Sequence, residues 1–224
     1  MNSINWKLLF PDIGKMIDIF INNPDHFLNN WWATFSVSLI ASIIALILGL
    51  IISVTANKIK FVNYLFMPIV AISQSFPLQA IAPLILIVMG VGFQTKTFIA
   101  FLIAFFPIYN SCLNAIKTTP ENYLNYARVN NSSYLKEVFY IRIPHALPAI
   151  VSSAKVGFTL AVLGSVVAEF IQPDKGLGNL ILIAQSSYNI EVIYICLILL
   201  IAQGLFFYLS LTYLEKYLIK KGGF

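Results

Sequence analysis

Charged side chains are scarce in this sequence. Only 10% of its 224 residues are Asp, Glu, Lys or Arg, whereas 59% are hydrophobic, and a soluble globular chain carries roughly 25% charged residues. The shortage excludes an ordinary soluble domain. It also excludes a disordered chain, because disordered chains are poor in apolar residues. The question is therefore where the apolar residues lie along the chain, since a membrane helix needs about 20 of them in a row.

Cysteine and histidine are rare, and the common catalytic patterns are missing. Cys112 and Cys196 lie inside apolar runs, where we expect buried thiols that behave as small hydrophobic side chains. His26 and His145 have no carboxylate or cysteine neighbours at metal-ligand spacing, so we expect no metal site and no cofactor. The chain lacks a G-x-x-x-x-G-K-[ST] phosphate loop and a G-x-S-x-G nucleophile pattern. We therefore expect no catalytic residues and no enzymatic activity in this chain.

Five apolar segments stand out, and they predict an all-α membrane protein with five transmembrane helices. The predicted spans are, approximately, residues 33–56, 61–91, 97–116, 149–170 and 190–214. The second span contains Pro68, Pro77 and Pro83, and we predict one long, kinked or tilted helix there because proline bends a helix axis. Residues 1–30 read as an amphipathic segment that either lies in the membrane interface or packs on the spans. Residues 31–224 form the transmembrane domain.

The distribution of positive charge predicts an orientation. With the N-terminus outside and the C-terminus in the cytoplasm, nine Lys and Arg residues fall in cytoplasmic segments and four fall outside, which favours this orientation. The net charge of +5 is thus a topology signal, and we expect no nucleic-acid partner.

The longest cytoplasmic segment, residues 117–148, predicts two short helices. Thr119 is suited to cap the first, with Pro120 at its first position. Asn130 to Ser133 then interrupt the helix, since Asn tolerates the left-handed backbone that ends one. The second helix is expected from about Tyr134 to Ile141. It carries one apolar face, with Lys136 and Glu137 pointing outward and two prolines ending the helix; the apolar residues are Tyr134, Leu135, Val138 and Phe139, and the prolines are Pro144 and Pro148.

Several fragments in order resemble one family over most of residues 34–215. They are Phe76-Pro77, Ala82-Pro83-Leu84, Gly90-Val91-Gly92 with Lys96, Phe105-Phe106-Pro107-Ile108, Tyr126-Ala127-Arg128, Ile143-Pro144-His145-Ala146-Leu147-Pro148, Ala168-Glu169 and Gly176-Leu177-Gly178. The chain resembles the permease subunits of binding-protein-dependent ABC importers, and more closely those for nitrate, sulfonates, taurine and thiamine-precursor pyrimidines.

The resemblance implies a type I importer permease arrangement in a bacterial-type plasma membrane. It implies a homodimer, two cytoplasmic ABC ATPase subunits and a periplasmic or lipid-anchored substrate-binding protein. The short helix of residues 134–141 would dock into a groove on the ATPase subunit. The expected coupling residues are Tyr126, Ala127, Arg128, Asn131, Tyr134, Leu135, Val138, Phe139 and Pro144.

Two residues depart from the family's loop. Asn125 stands where the family has Glu, and Asn131 stands where it has Gly. Asn131 can replace Gly because both accept a positive φ. The loss of the Glu would weaken or alter the contact with the ATPase.

Polar residues inside the spans are candidates for the translocation path. Gln74, Ser75 and Gln79 surround Pro77, where they either line the path or satisfy carbonyls that proline frees. Glu169 is a candidate for the path or for a gate, and Lys155 is expected to reach the cytoplasmic interface.

Asn110 and Asn114 share one face of the third span, for which we favour hydrogen bonding between helices. The alternatives to an ABC importer are an ion-coupled carrier that uses Glu169 without an ATPase and a scaffold that transports nothing.

Overall fold

The structure is a computed structural model that describes residues 10–75, 77–172 and 174–222, without the side chains of residues 74, 75, 78, 219, 221 and 222. Every regular element in these ranges is helical. In chain order the elements are α1 (Ile13–Asn22), α2 (Pro24–Lys58), α3 (Lys60–Ser75), a 3₁₀ turn (Leu78–Ile81), α4 (Ala82–Met89), α5 (Phe93–Lys117), α6 (Glu121–Val129), α7 (Tyr134–Glu137), a π turn (Val138–Arg142), α8 (Ile143–Ile171), α9 (Leu177–Ser186) and α10 (Ile190–Gly222).

Four of the described helical segments are long and apolar enough to cross a membrane: Pro24–Lys58, Phe93–Lys117, Tyr134–Ile171 and Ile190–Leu218. These segments confirm the predicted all-α membrane class. They correspond to the first, third, fourth and fifth predicted spans.

The second predicted span is not one continuous helix, and that prediction was wrong. Residues 61–91 form α3 and α4, which are separated by the 3₁₀ turn. Pro77 adopts an extended backbone conformation, with φ of −69° and ψ of 94°, and Pro83 lies at the start of α4. A proline cannot donate the backbone hydrogen bond that would join two turns, so prolines six residues apart break the helix rather than bend it. Pro68, by contrast, lies inside α3.

The helix α5 lies in the centre of the bundle, where α2 and α8 pack against it. Glycines permit this close packing: a Cβ on Gly164 would come within 2.7 Å of Ala100 Cα, and one on Gly157 would overlap Ile108. Small residues at such contacts let helix backbones approach in a membrane, where no hydrophobic effect drives helices together. Gln203 of α10 adds a buried hydrogen bond by donating to Ser38 Oγ of α2 at 2.8 Å.

The helix α1 packs on the bundle through one face. Met16, Ile19 and Phe20 contact a buried cluster that includes Phe27 and Leu177, while isoleucines on the opposite side are exposed. Asp12 caps the helix by accepting hydrogen bonds from the backbone N–H groups of Gly14 and Lys15. Residues 1–9, the first part of the predicted amphipathic segment, lie outside the described residues.

Both free cysteines, Cys112 and Cys196, are buried, as the sequence predicted.

Candidate functional site

The loop between α5 and α8 begins with α6. Pro120 is the N-cap residue, and the predicted capping role of Thr119 was wrong. The Thr119 hydroxyl donates instead to the Ile116 carbonyl at 3.0 Å, so it closes the preceding helix α5. A threonine just beyond one helix and before the next can hydrogen-bond to either, and here Thr119 bonds to the preceding helix.

The turn after α6 has the backbone that Asn131 was expected to allow. Asn131 has φ of +46°, and its N–H donates to the Arg128 carbonyl at 3.0 Å, while Ser132 N–H donates to the Ala127 carbonyl. This bonding pattern ends a helix in the left-handed conformation, for which glycine or asparagine is preferred. The substitution of the family's glycine by Asn131 is therefore compatible with the turn.

The position of the missing family glutamate is occupied by a local polar contact. Asn125 Oδ1 accepts a hydrogen bond from Arg128 Nη1 at 3.0 Å, and Glu121 lies 3.6 Å from the same nitrogen. All three side chains lie on the surface of α6. An exposed ion pair of this kind contributes roughly 0–1 kcal/mol to the stability of the fold. Its main effect here is to orient the Arg128 side chain.

The next helical segment is continuous with the span that follows it. The helix from Tyr134 runs to Ile171 without interruption, because a π turn at Val138–Arg142 joins α7 to α8. The prediction that Pro144 and Pro148 end the loop helix was wrong. Pro144 lies in the first turn of α8, directly after the π turn has shifted the hydrogen-bond register, and a proline is tolerated where the register of N–H donors is already interrupted.

The predicted apolar face divides into two pairs. Tyr134 is half-buried and Val138 is 1% exposed, whereas Leu135 and Phe139 are 63% and 64% exposed. Each pair is four residues apart, so each lies on one side of the helix. The inner pair holds the helix against the bundle, and the outer pair forms an apolar surface that is exposed in the described part of the chain.

Two polar contacts fasten this helix to its neighbours. The Tyr134 hydroxyl donates to the Val54 carbonyl at 2.7 Å and accepts from Asn57 Nδ2 at 3.2 Å, both on α2. Arg142 pairs with Glu137 at 2.6 Å and donates to the Ile116 carbonyl of α5 at 3.0 Å. Glu137 therefore does not point outward, contrary to the prediction. The loop helix is thus tied to the ends of both α2 and α5.

Several large apolar residues of this loop are exposed, and we refer to the following five as the loop surface. Its members are Tyr126, Val129, Leu135, Phe139 and Tyr140. Of the other predicted coupling residues, Ala127 is buried, Arg128 and Asn131 are exposed, and Pro144 is half-buried. Exposed apolar residues gathered in one place mark a site that contacts another molecule.

At the opposite end of the bundle, Glu169 is fully buried and holds a turn of backbone. Its Oε2 accepts hydrogen bonds from Gly178 N–H at 2.8 Å and from the Thr34 hydroxyl at 3.1 Å. Gly176 has φ of +135°, and a Cβ there would overlap the Glu169 carboxylate. The Ala168-Glu169 and Gly176-Leu177-Gly178 fragments of the sequence are therefore two halves of one contact, because only glycine leaves room for the carboxylate.

Other side chains complete this contact, which we call the Glu169 anchor. Asn30 accepts from Gly176 N–H at 2.8 Å, and Leu177 N–H donates to the Thr34 hydroxyl at 2.9 Å. Lys96 donates to the Lys175 carbonyl at 2.8 Å and lies 3.6 Å from Asp174. Sequence reasoning missed Asn30, Thr34 and the role of Lys96, because contacts between residues more than 70 positions apart leave no periodic signal.

Among the remaining path candidates, the structure describes the side chain of Gln79 alone. Gln79 is exposed on the 3₁₀ turn, and the side chains of Gln74 and Ser75 lie outside the described part of the chain. Both interpretations of these residues therefore stand: they line the translocation path, or they satisfy the carbonyls that Pro77 frees.

Lys155, for which we expected a position at the cytoplasmic interface, pairs with Glu215 of α10 at 2.6 Å. The side chains are 12% and 21% exposed, and Lys155 also lies 5.5 Å from the Tyr208 ring centroid. The pair joins α8 to α10 because each charge removes the cost of burying the other.

We expect Lys155→Met to lower the free energy of unfolding by about 2 kcal/mol, less than the full cost of a lone buried charge because Glu215 keeps some solvent contact. The double variant Lys155→Met/Glu215→Leu should recover most of the loss, since no charge is then left unpaired. Thermal unfolding in detergent measures both, with the exposed Lys136→Met as control. Equal destabilisation in the single and double variants would show that the pair is not coupled.

The solved structures that resemble this chain show its fold. An amino acid ABC transporter chain matches with a TM-score of 0.74 at 18% identity, covering 93% of this chain and 99% of that one. At this identity the match shows the fold, which is that of an ABC transporter membrane subunit.

The sequence comparisons then give the family. A model described as "Binding-protein-dependent transport system inner membrane component" matches residues 41–220, and the chain belongs to this family. A probable ABC transporter permease of Haemophilus influenzae is 30% identical over 82% of this chain and 76% of its own length. A riboflavin transport permease of Chloroflexus aurantiacus is 33% identical over 72% of this chain but only 60% of its own length.

The chain is also similar to permeases named for aliphatic sulfonates, nitrate, taurine and formylaminopyrimidine. These relatives confirm the resemblance drawn from the sequence. The chain is thus a membrane-spanning permease of the ABC importer family, whose members work with ATPase subunits and binding proteins.

Proposed function

We propose that this chain is the permease subunit of an ATP-driven, binding-protein-dependent importer of a small solute. The solute is a sulfonate- or nitrate-type anion or a heterocyclic vitamin precursor, the classes named for its relatives. The observation that carries the proposal is the pair Leu135 and Phe139, exposed on a helix that is tied to α2 and α5 and continuous with α8.

The loop surface is the docking site for a cytoplasmic ABC ATPase subunit. A force applied at Leu135 and Phe139 reaches three spans, because Tyr134 binds α2, Arg142 binds α5 and the helix itself becomes α8. Two copies of the chain, each with one ATPase subunit, would surround one path. Closure of the ATPase pair on ATP would then rock the spans between two states.

The excess of positive charge near the loop supports a cytoplasmic location for it and for the C-terminus, with the N-terminus outside. The Glu169 anchor then lies at the outer face, where a soluble or lipid-anchored binding protein delivers the solute. There Glu169 holds the turn at residues 174–178 in place as part of an outer gate. A fully buried carboxylate in two hydrogen bonds fits this role better than that of a proton carrier, which must meet water on both sides.

The proposal is tested by reconstitution in proteoliposomes with the cognate ATPase subunits and binding protein. Uptake of a labelled probe, with riboflavin, a formylaminopyrimidine, taurine and nitrate assayed in turn, should require ATP and should stop when the binding protein is omitted. The ATPase should co-purify with the chain. Uptake driven by an ion gradient in liposomes that hold this chain alone would instead identify an ion-coupled carrier.

A further inference from the structure

A groove of about 290 Å³ lies between α2 and α10. Trp31 and Phe35 line it from α2, and Leu199, Gln203 and Phe206 line it from α10. Apart from Trp31 and Gln203, every lining residue is Leu, Ala or Phe. The aromatic walls are connected, since the centroid of the Phe35 ring lies 5.1 Å from that of Trp31 and 6.1 Å from that of Phe206. The groove is therefore an apolar, aromatic surface with one buried amide.

The groove lies in the membrane-spanning part of both helices. Ser38, which contacts Gln203, is three residues from the centre of the apolar segment Pro24–Lys58, and Gln203 is one residue from the centre of Ile190–Leu218. These separations correspond to about 5 Å or less, well inside a hydrocarbon core about 30 Å thick. Trp31 is ten residues from the centre of its segment, about 15 Å, at the level where tryptophan is enriched.

The side chains beside the groove are those of a surface in contact with lipid. Ile198 and Leu205, the neighbours in the chain of Leu199 and Phe206, are both more than half exposed. A molecule therefore reaches the groove from the hydrocarbon and not from water.

Gln203 has a buried acceptor without a partner. The residue is 1% exposed, and its Nε2 donates to Ser38 Oγ at 2.8 Å. The Ser38 hydroxyl donates its own proton to the Phe35 carbonyl at 3.0 Å, so it can only accept from Gln203, and this fixes the orientation of the amide. Gln203 Oε1 then has no hydrogen bond to any group in the described part of the chain.

Neither lipid nor water satisfies this acceptor. An acyl chain fills an apolar groove but donates nothing, and an unsatisfied buried acceptor costs about 1–3 kcal/mol. A buried water typically makes about three hydrogen bonds, whereas the lining side chains offer at most two, from Gln203 Oε1 and the Trp31 indole N–H. At about 30 Å³ each, several waters would be needed, most of them against carbon. The occupant that fits is an apolar molecule with one donor.

We propose that this groove binds a membrane-soluble aromatic molecule that carries a hydroxyl or N–H group, such as a phenol or an indole. The group donates to Gln203 Oε1, and the ring packs against Trp31, Phe35 and Phe206 in the tilted or offset contacts that aromatic rings prefer. A volume of about 290 Å³ is at the lower limit of small-molecule sites, which favours a molecule of one or two rings. The site is formed by this chain alone and does not depend on the proposed function.

Quenching of Trp31 fluorescence tests the proposal. The full chain carries three tryptophans, and the parent variant Trp6→Phe/Trp32→Phe, placed in lipid nanodiscs, keeps Trp31 as the fluorophore. The probe is 4-bromophenol, whose bromine quenches tryptophan on contact, and the matched control is 4-bromoanisole, which has the same ring but no donor. The anisole enters hydrocarbon more readily because it has no hydroxyl to desolvate. Simple partition into lipid would therefore make the anisole the better quencher.

We expect saturable quenching by the phenol, with a half-saturating concentration at least tenfold below that of the anisole, because one hydrogen bond to a buried acceptor is worth a factor of about this size. Gln203→Leu should abolish the preference for the phenol. Ala202→Phe, at a lining residue, should fill the groove and abolish saturable quenching. Ile201→Phe, on the same turn but outside the lining, should leave it unchanged.

Elution volume and unfolding temperature of each variant report on its fold. Equal or stronger quenching by the anisole in the parent would show partition into lipid only and would overturn the site. Phenol quenching that does not saturate would overturn it too, whether a lipid chain or a second copy of the chain covers the groove. A phenol preference that survives in Gln203→Leu would overturn the role of the amide. If Gln203→Leu does not fold, the comparison of Ala202→Phe with Ile201→Phe still decides whether the phenol binds in the groove.

Discussion

A chain that carries glutamate at both Leu135 and Phe139 should lose its ATPase partner while it keeps its fold. These two side chains are more than 60% exposed and contact the bundle little, so the substitution costs the isolated chain almost nothing. In a docked complex each glutamate would be buried without a partner in an apolar groove, at a cost of several kcal/mol. Two such costs correspond to a loss of affinity of at least 100-fold.

The measurement is the amount of ATPase subunit that co-purifies with the tagged chain, together with ATP-driven uptake in proteoliposomes. Lys136→Glu, on the same helix turn and also exposed, is the matched control for charge reversal and should retain the partner. A control on folding is the elution volume and the unfolding temperature of the double variant. If the double variant still retained the ATPase, the loop surface would not be the docking site.

The second large effect is expected at Gly176. An alanine there meets two penalties, because φ of +135° is a conformation that L-residues rarely adopt and because its Cβ overlaps the Glu169 carboxylate. The turn would have to move, and the hydrogen bonds of Gly178 with Glu169 and of Leu177 with Thr34 would break. We expect a loss of unfolding free energy of about 3 kcal/mol or more, which is in the range of severe single substitutions.

Gly90 supplies a control that separates the two penalties. It also has a positive φ, of +76°, but a Cβ there meets nothing within 4 Å. Gly90→Ala should therefore show only the backbone cost, roughly 1–3 kcal/mol, because its ψ of 179° places it in a region that is essentially restricted to glycine. Chromatography of the folded fraction after heating gives the unfolding temperature of both variants. If Gly176→Ala unfolded at the temperature of Gly90→Ala, the overlap with Glu169 would carry no energetic weight.

The sequence is sufficient to predict four of the five spans and the turn at Asn131, because these rest on local signals. A run of about 20 apolar residues predicts a membrane helix wherever it occurs, and a positive φ depends on the residue that adopts it. The break in the second span was missed because a proline indicates that a helix is distorted but does not tell whether the helix bends or ends there. Two prolines six residues apart each remove a backbone hydrogen bond within less than two turns of helix, and this spacing is the signal that could have been used.

The site was harder to predict than the spans, because its contacts join distant parts of the chain. Periodicity grouped Tyr134, Leu135, Val138 and Phe139 on one face, yet only the packed structure divides them into an inner and an outer pair. Glu169 was selected as a costly charge in a span. In the structure the Glu169 carboxylate accepts a hydrogen bond from the backbone of a glycine turn nine residues later. The energetic cost of a charge in a span does not predict which group will be its partner.

The unbroken helix from Tyr134 to Ile171 has a mechanical consequence. Its length is about 57 Å at 1.5 Å per residue, and under the proposed docking role its close glycine contacts with α5 at Gly157 and Gly164 would act as the pivot. The arm toward Leu135 and Phe139 measures about 35 Å and the arm toward Glu169 about 13 Å. A swing of about 5 Å at the long arm moves Glu169 about 2 Å the opposite way. The turn bound to Glu169 would follow, so the proposed large displacement at Leu135 and Phe139 would become a smaller one at the opposite end of the helix.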